Sequence, residues 1–384
     1  MRFAHWIPTL GLAALSCLGA GSPPVAGTAP AGPPPCSTPG PPRALRYGMQ
    51  VDPGTDLPRS LKLLREAGFD WAKIQVRWER LEPERSDIRW ETLDSIVDEA
   101  GCAGIRLLFS IVASPRWARP PQTDFSVPGP PADPADLARL AGQIAERYKG
   151  RVHAYEVWNE QNLAREWGGV GKPNAAEYVR LLAASYKAIK TADPDATVVA
   201  GALTPAGDVD LGQGILARDD RAFLRDMYRA GVAPVSDAIG VHPSGFNNPP
   251  DDDPQRNTTT GSEFKGHWSF YYRNFENYRA IMEESGDAAK QLWFTEFGWA
   301  SGAKAAPEYK YALETSEEQQ AQYLARAFEM AQGRDHVGAM FLWNLNYAPS
   351  ADPDDVQGKR VFSILRSDWG LRPAYLALQR LPKR

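Results

Sequence analysis

Histidine and cysteine are scarce in this chain, five and three among 384 residues. His153, His242, His267 and His336 lie in separate segments, and no His-Glu-x-x-His run puts two of them on one helix face. A metallohydrolase is disfavoured, and neither a metal nor an organic cofactor is expected. Basic charge is in slight deficit, with 43 Lys and Arg against 47 Asp and Glu, a net charge of −4. No basic cluster interrupts that balance, which excludes nucleic acid and anionic membrane surfaces as expected partners. Internal repeats are absent, and no composition shift beyond the N-terminal segment marks a second folded domain.

Long apolar runs are also missing. The stretch from Trp6 to Ala20, preceded by Arg2, is too short for a comfortable membrane span but suits the hydrophobic region of a secretory signal. Residues 1–20 are therefore expected to be a signal and 21–43 a Pro/Gly-rich tether. The folded domain is expected over 44–384, secreted or held at the cell envelope with no transmembrane span once the signal is removed. Ala14-Leu15-Ser16-Cys17 loosely resembles a lipoprotein cleavage box, with leucine one place off, so lipidation at Cys17 is one reading and a discarded signal cysteine the other. Cys36 and Cys102 leave two readings open as well. They form a disulfide pinning the tether to the domain, or Cys102 is a buried small residue and Cys36 a free thiol.

What the chain does have is alternation. Short apolar runs and amphipathic helical patterns follow one another, which favours parallel strands with crossover helices. Eight strands are expected at Arg46–Gln50, Trp71–Val76, Ile105–Ile111, Val152–Trp158, Thr197–Ala202, Ala238–Val241, Gln291–Thr295 and Ala339–Trp343. Helix starts are signalled by Asp133-Pro134, by Asn174 with Glu177, and by Ser316 with Gln319. The expected fold is a single-domain (β/α)8 barrel, whose reactive groups sit at the C-terminal ends of the strands. The long segment from about Pro243 to Ser269, after the sixth strand, is expected to frame a substrate groove.

Two of those strand ends deliver a glutamate, in Tyr155-Glu156-Val157-Trp158-Asn159-Glu160 and in Trp293-Phe294-Thr295-Glu296-Phe297-Gly298-Trp299. A retaining glycosidase needs one carboxyl protonated for the leaving group and another ionised to attack the anomeric carbon. Through these segments the chain resembles the clan of retaining (β/α)8 glycoside hydrolases with catalytic glutamates on strands four and seven. It looks most similar to bacterial proteins of glycoside hydrolase family 39.

The resemblance implies that Glu160 is the acid/base and Glu296 the nucleophile. It also implies that Asn159 hydrogen-bonds a sugar hydroxyl, that Trp343 is a sugar platform, and that His242 lines the subsite. Two departures stand out. Ser244 occupies the place of a tyrosine that would bond the nucleophile, a contact for which Tyr271 or Tyr272 could substitute. Lys73 occupies the place of an arginine on strand two, where it either pairs with Glu156 in the interior or orients the nucleophile. Lys73, Gln75 and Arg77 share one strand face, leaving Gln75 or Arg77 near the substrate. Trp117, Trp167, Phe246, Trp268, Phe270, Tyr271 and Trp299 are further candidates to stack on sugar. The expected partner is a poly- or oligosaccharide bound by a monomer. The rival reading is a barrel that binds carbohydrate without cutting it.

Overall fold

The computed structural model describes Cys36 and residues 43–210, 212, 214–259, 263–350 and 358–384. The expected signal and tether, Cys17 included, lie outside the described residues apart from Cys36 and Arg43.

Eight parallel strands close into one barrel: β1 (Arg46–Gln50), β2 (Trp71–Arg77), β3 (Arg106–Val112), β4 (Ala154–Val157), β5 (Thr197–Leu203), β6 (Ala238–Val241), β7 (Gln291–Phe297) and β8 (Val337–Leu342). Their order around the barrel follows the sequence, with β1 paired to both β2 and β8. The eight main helices are α1 (Leu57–Glu66), α2 (Trp90–Ala103), α3 (Pro134–Arg147), α4 (Ala175–Ala192), α5 (Asp220–Arg229), α6 (Asn274–Glu284), α7 (Glu317–Ala331) and α8 (Pro373–Arg380). The fold is thus a (β/α)8 barrel, and all eight expected strands are present with ends displaced by at most two residues.

The helices begin where short polar side chains can satisfy their free N–H groups. Asp133 accepts from the N–H of Ala135, and Asn174 from those of Ala176 and Glu177. Ser316 and Gln319 complete a reciprocal capping box. A plug of Trp71, Leu108, Ala154, Val199, Ala238, Trp293, Ala339 and Phe341, drawn from seven strands, fills the lower barrel interior. Apolar side chains between strands and helices form the larger outer core. With its lower end filled, the barrel's cavity lies where the strands end.

The loop after β6 is built around polar anchors. Asn248 Nδ2 donates to the carbonyls of Phe264 at 2.7 Å and Phe270 at 3.0 Å, while Phe246, Phe264, Phe270 and Tyr311 pack against one another. A two-stranded hairpin, Val209–Asp210 with Ile215–Ala217, follows β5 on the same side.

Cys36 and Cys102 are disulfide-bonded, and Cys102 lies exposed on α2 rather than buried before a strand. The bond ties together positions 66 residues apart, which restricts the unfolded chain. Cys102→Ser is expected to lower stability by about 2–4 kcal/mol. Thermal melts would check this: dithiothreitol should reproduce the loss in the unsubstituted protein and leave the variant's melting temperature where it was.

Candidate active site

The end of β4 does not continue as a strand. Trp158 and Glu160 adopt positive φ, 71° and 50°, a region that side-chain-bearing residues occupy at a cost. Three hydrogen bonds hold the turn: Trp158 N–H to Ile111 O at 2.9 Å, Glu160 N–H to Ala202 O at 2.8 Å, and Trp158 Nε1 to Glu166 O at 3.0 Å. The turn also presses against β5, where a β-carbon on Gly201 would lie 2.6 Å from Val157 O. These constraints turn the Glu160 side chain into the barrel mouth. Glu296 reaches the same place from within β7, and the two side chains are 14% and 13% exposed.

Beneath them runs a buried polar chain. Lys73 Nζ lies 2.8 Å from Glu296 Oε1 and 3.1 Å from Glu156 Oε2. The Thr295 hydroxyl donates to Glu156 Oε1 at 2.6 Å. His242 places Nε2 3.2 Å from Thr295 Oγ1 and Nδ1 3.2 Å from Glu160 Oε1, with Glu296 Oε2 at 3.9 Å. Lys73 therefore does both things that the sequence left as alternatives, pairing with Glu156 and contacting Glu296. Neither Tyr271 nor Tyr272 takes the place of the missing tyrosine. Tyr271 accepts from Asn257, and Tyr272 donates to Ala327 O.

The charges are mutually reinforcing. Burial opposes the Lys73 charge, but Glu156 and Glu296 outweigh it and raise the pKa. Burial likewise works against ionised Glu156, yet Lys73 and His242 hold it below the usual carboxylate range. Burial would neutralise His242, but the charge of Glu296 and the hydrogen bond to Glu160 raise its pKa. In the protonated ring both nitrogens would donate. Glu160 is also buried, but the hydrogen bond from His242 and the charge of Arg165, whose Nη2 sits 3.2 Å away, keep it well below the ordinary carboxylate value. One carboxyl in the cleft behaves oppositely. Burial and the charge of Glu160 push Glu166 up to about 7.

Glu160, His242 and Glu296 each direct a ligand-type atom to within 4.8 Å of the others. A protein cation already serves this cluster, because Lys73 neutralises Glu296 from 2.8 Å and His242 spends Nδ1 on Glu160. The charge that a metal would supply is present as side chains.

These groups open into a cavity of about 750 Å³ lined in part by Gln75, Arg77, Asn159, His242, Glu296 and Trp343. Asn159 is 6% exposed and its Oδ1 has no hydrogen-bond partner. An adjoining cavity of about 720 Å³ shares Gln75, Arg77 and Lys359 with it. Six of the expected stacking residues, Trp117, Trp167, Trp268, Phe270, Tyr271 and Trp299, line neither cavity. Trp167 packs edge-on against Trp158 and Tyr178, Trp299 donates Nε1 to Asn248 O, and Tyr271 is fully buried beside Asn257. Each of these three rings is engaged in packing or in a hydrogen bond away from the cavity lining. Phe246 does line the cavity, as do Arg165, Glu166, Tyr309 and Lys359, which the sequence reading did not single out. Arg165 and Glu166 were signalled only by adjacency, five and six residues after Glu160.

No family model and no curated protein sequence matches the chain. Solved structures share its architecture. A family 39 glycoside hydrolase from the gut symbiont Bacteroides cellulosilyticus WH2 aligns over 87% of this chain with a TM-score of 0.65 and 23% identity. A glucosidase from Croceicoccus marinus covers 88% with a TM-score of 0.61 and 16% identity. Xylanase 10B from Thermotoga maritima covers 88%, and 94% of its own length, with a TM-score of 0.56 and 15% identity. The chain spans 62% of the family 39 enzyme and 66% of the glucosidase, under two thirds of each. The fold is the (β/α)8 barrel found in these glycoside hydrolases.

Proposed function

We propose that the protein is a retaining glycoside hydrolase that cleaves O-glycosidic bonds of an oligo- or polysaccharide by double displacement. The observation that carries this reading is the pair of strand-end carboxylates, Glu160 and Glu296, which bring one oxygen each to within 4.8 Å of the other. Retaining enzymes hold their carboxyl groups roughly 5–5.5 Å apart, whereas inverting ones leave about 6.5–9.5 Å for a water molecule.

In the first displacement Glu296, ionised and oriented by Lys73, attacks the anomeric carbon while Glu160 protonates the departing oxygen. The glycosyl–Glu296 ester then forms with the Glu160 carboxylate free to act as base on water. Asn159 offers its unpartnered Oδ1 to a sugar hydroxyl, where a hydrogen bond gains strength as charge develops at the anomeric carbon. The adjoining cavities supply room for more than one sugar ring. An exported location fits the Cys36–Cys102 disulfide, since such bonds persist in oxidising compartments.

The test is incubation with a panel of aryl glycosides and oligosaccharides, followed by trapping with a fluorinated glycoside of the class that turns over. Mass spectrometry should find the label on the peptide carrying Glu296. An anomerically inverted product would exclude double displacement, and binding without turnover would favour the carbohydrate-binding reading.

A further inference from the structure

A general acid must carry a proton, yet Glu160 faces two cations. His242 Nδ1 and Arg165 Nη2 lie 3.2 Å from its two oxygens. The other groups facing it are the Glu296 and Glu166 carboxyls, Thr204 just after β5, and Tyr309 from the loop after β7. In the empty cleft these neighbours suit a carboxylate, and a carboxylate has nothing to give a leaving group.

Only one of the two cations is free to leave. His242 is 5% exposed and engaged at both nitrogens. The Arg165 side chain is 61% exposed, and its Nε lies 3.8 Å from Glu166 Oε1. Glu166 lines the same cavity and is faced by Arg165, by Glu160, by Arg77 at the end of β2, and by Lys359 in the 3-10 turn Lys359–Phe362. Because Glu166 is pushed up to about 7, it carries a proton in part of the population at neutral pH.

We propose that Arg165 is a counterion displaced by substrate: it neutralises Glu160 in the empty cleft and moves onto Glu166 when a glycosidic oxygen takes its place. This deepens the glycosidase reading and rests on it. The proton count closes. Glu166 gives up its proton as it takes the guanidinium charge, and Glu160 gains one through the water of the cleft. The summed charge of the three groups is the same before and after. Departure of the product lets Arg165 return. Arg165 and Glu166 are positioning residues, acting through Glu160.

Two measurements test this. Carbon NMR of glutamate-labelled protein, assigned with Glu160→Gln and Glu166→Gln, follows both carboxyls without turnover. Arg165→Met should raise the Glu160 midpoint by about one pH unit or more, and Arg165→Lys should keep it near the wild-type position. In turnover, the alkaline limb of kcat reports the substrate complex and that of kcat/KM the free enzyme. The wild type should show the kcat limb at higher pH, a gap that collapses in Arg165→Met and persists in Arg165→Lys. For Glu166→Gln, glycosides with poor leaving groups should lose about 10-fold more rate than activated ones. Normal turnover with an unmoved Glu160 midpoint, or an intact gap, in Arg165→Met overturns the counterion role alone. A wild type that turns over no glycoside overturns the catalytic reading and the displacement step with it.

Discussion

Glu160→Ala should slow hydrolysis of glycosides with poor leaving groups by roughly 100- to 10,000-fold, the usual size of a general acid contribution. Activated aryl glycosides should suffer less in the first displacement, since their leaving groups need little protonation. Azide should restore turnover, and the site explains why. Removing the carboxylate leaves a cavity flanked by His242 and Arg165, each 3.2 Å from where its oxygens stood, and an anion is attracted to both. Azide would then attack the glycosyl enzyme from the face that Glu160 occupied and yield a glycosyl azide of retained configuration. An azide product of inverted configuration would reverse the roles of the two glutamates.

Lys73→Met is expected to damage stability and catalysis together. The lysine is fully buried between Glu156, also fully buried, and Glu296. Without it Glu156 keeps the Thr295 hydroxyl and the Ala202 N–H, at 2.6 and 3.2 Å, but loses its nearest cation. Breaking a buried ion pair from one side costs about 3–5 kcal/mol, so the melting temperature should fall by many degrees. Trapping at Glu296 should slow as well, because its carboxylate loses its 2.8 Å partner. A variant that melts like the wild type would show that Glu156 does not depend on Lys73. One that traps at the wild-type rate would show that Glu296 does not.

The barrel was legible in the sequence because each strand is a short apolar run bounded by polar loops, a pattern that depends on neighbours in the chain. Where strand ends were misjudged, the cause was local and specific. Val152–Trp158 reads as one strand, but the left-handed turn at Trp158 ends β4 at Val157, and nothing in that residue's chemistry announces a positive φ. Glu160 and Glu296 were legible because their flanking residues form a recognisable pattern. Arg165 and Tyr309 were not, since a charged residue in a polar loop and a tyrosine in a 3-10 turn look like surface until the loops fold over the mouth. The aromatic residues misled in the other direction. Trp299 follows β7 closely, while Trp167 and Tyr271 lie in the segments after β4 and β6, and the burial of all three is decided by contacts between segments that periodicity cannot place.

The contacts running from Glu160 through His242, Thr295, Glu156 and Lys73 to Glu296 join the two strand-end glutamates below the floor of the cleft. Three carboxyl groups, a lysine and a histidine share that path, and Arg165 lies against one end of it. Neutralising any single member therefore unbalances its neighbours, and a second change that restores the balance should cost less than the first. Single substitutions here will sum to more than the whole effect. The six residues vary safely only as a block, so a substitution at one of them is tolerated where its counterweight has already changed.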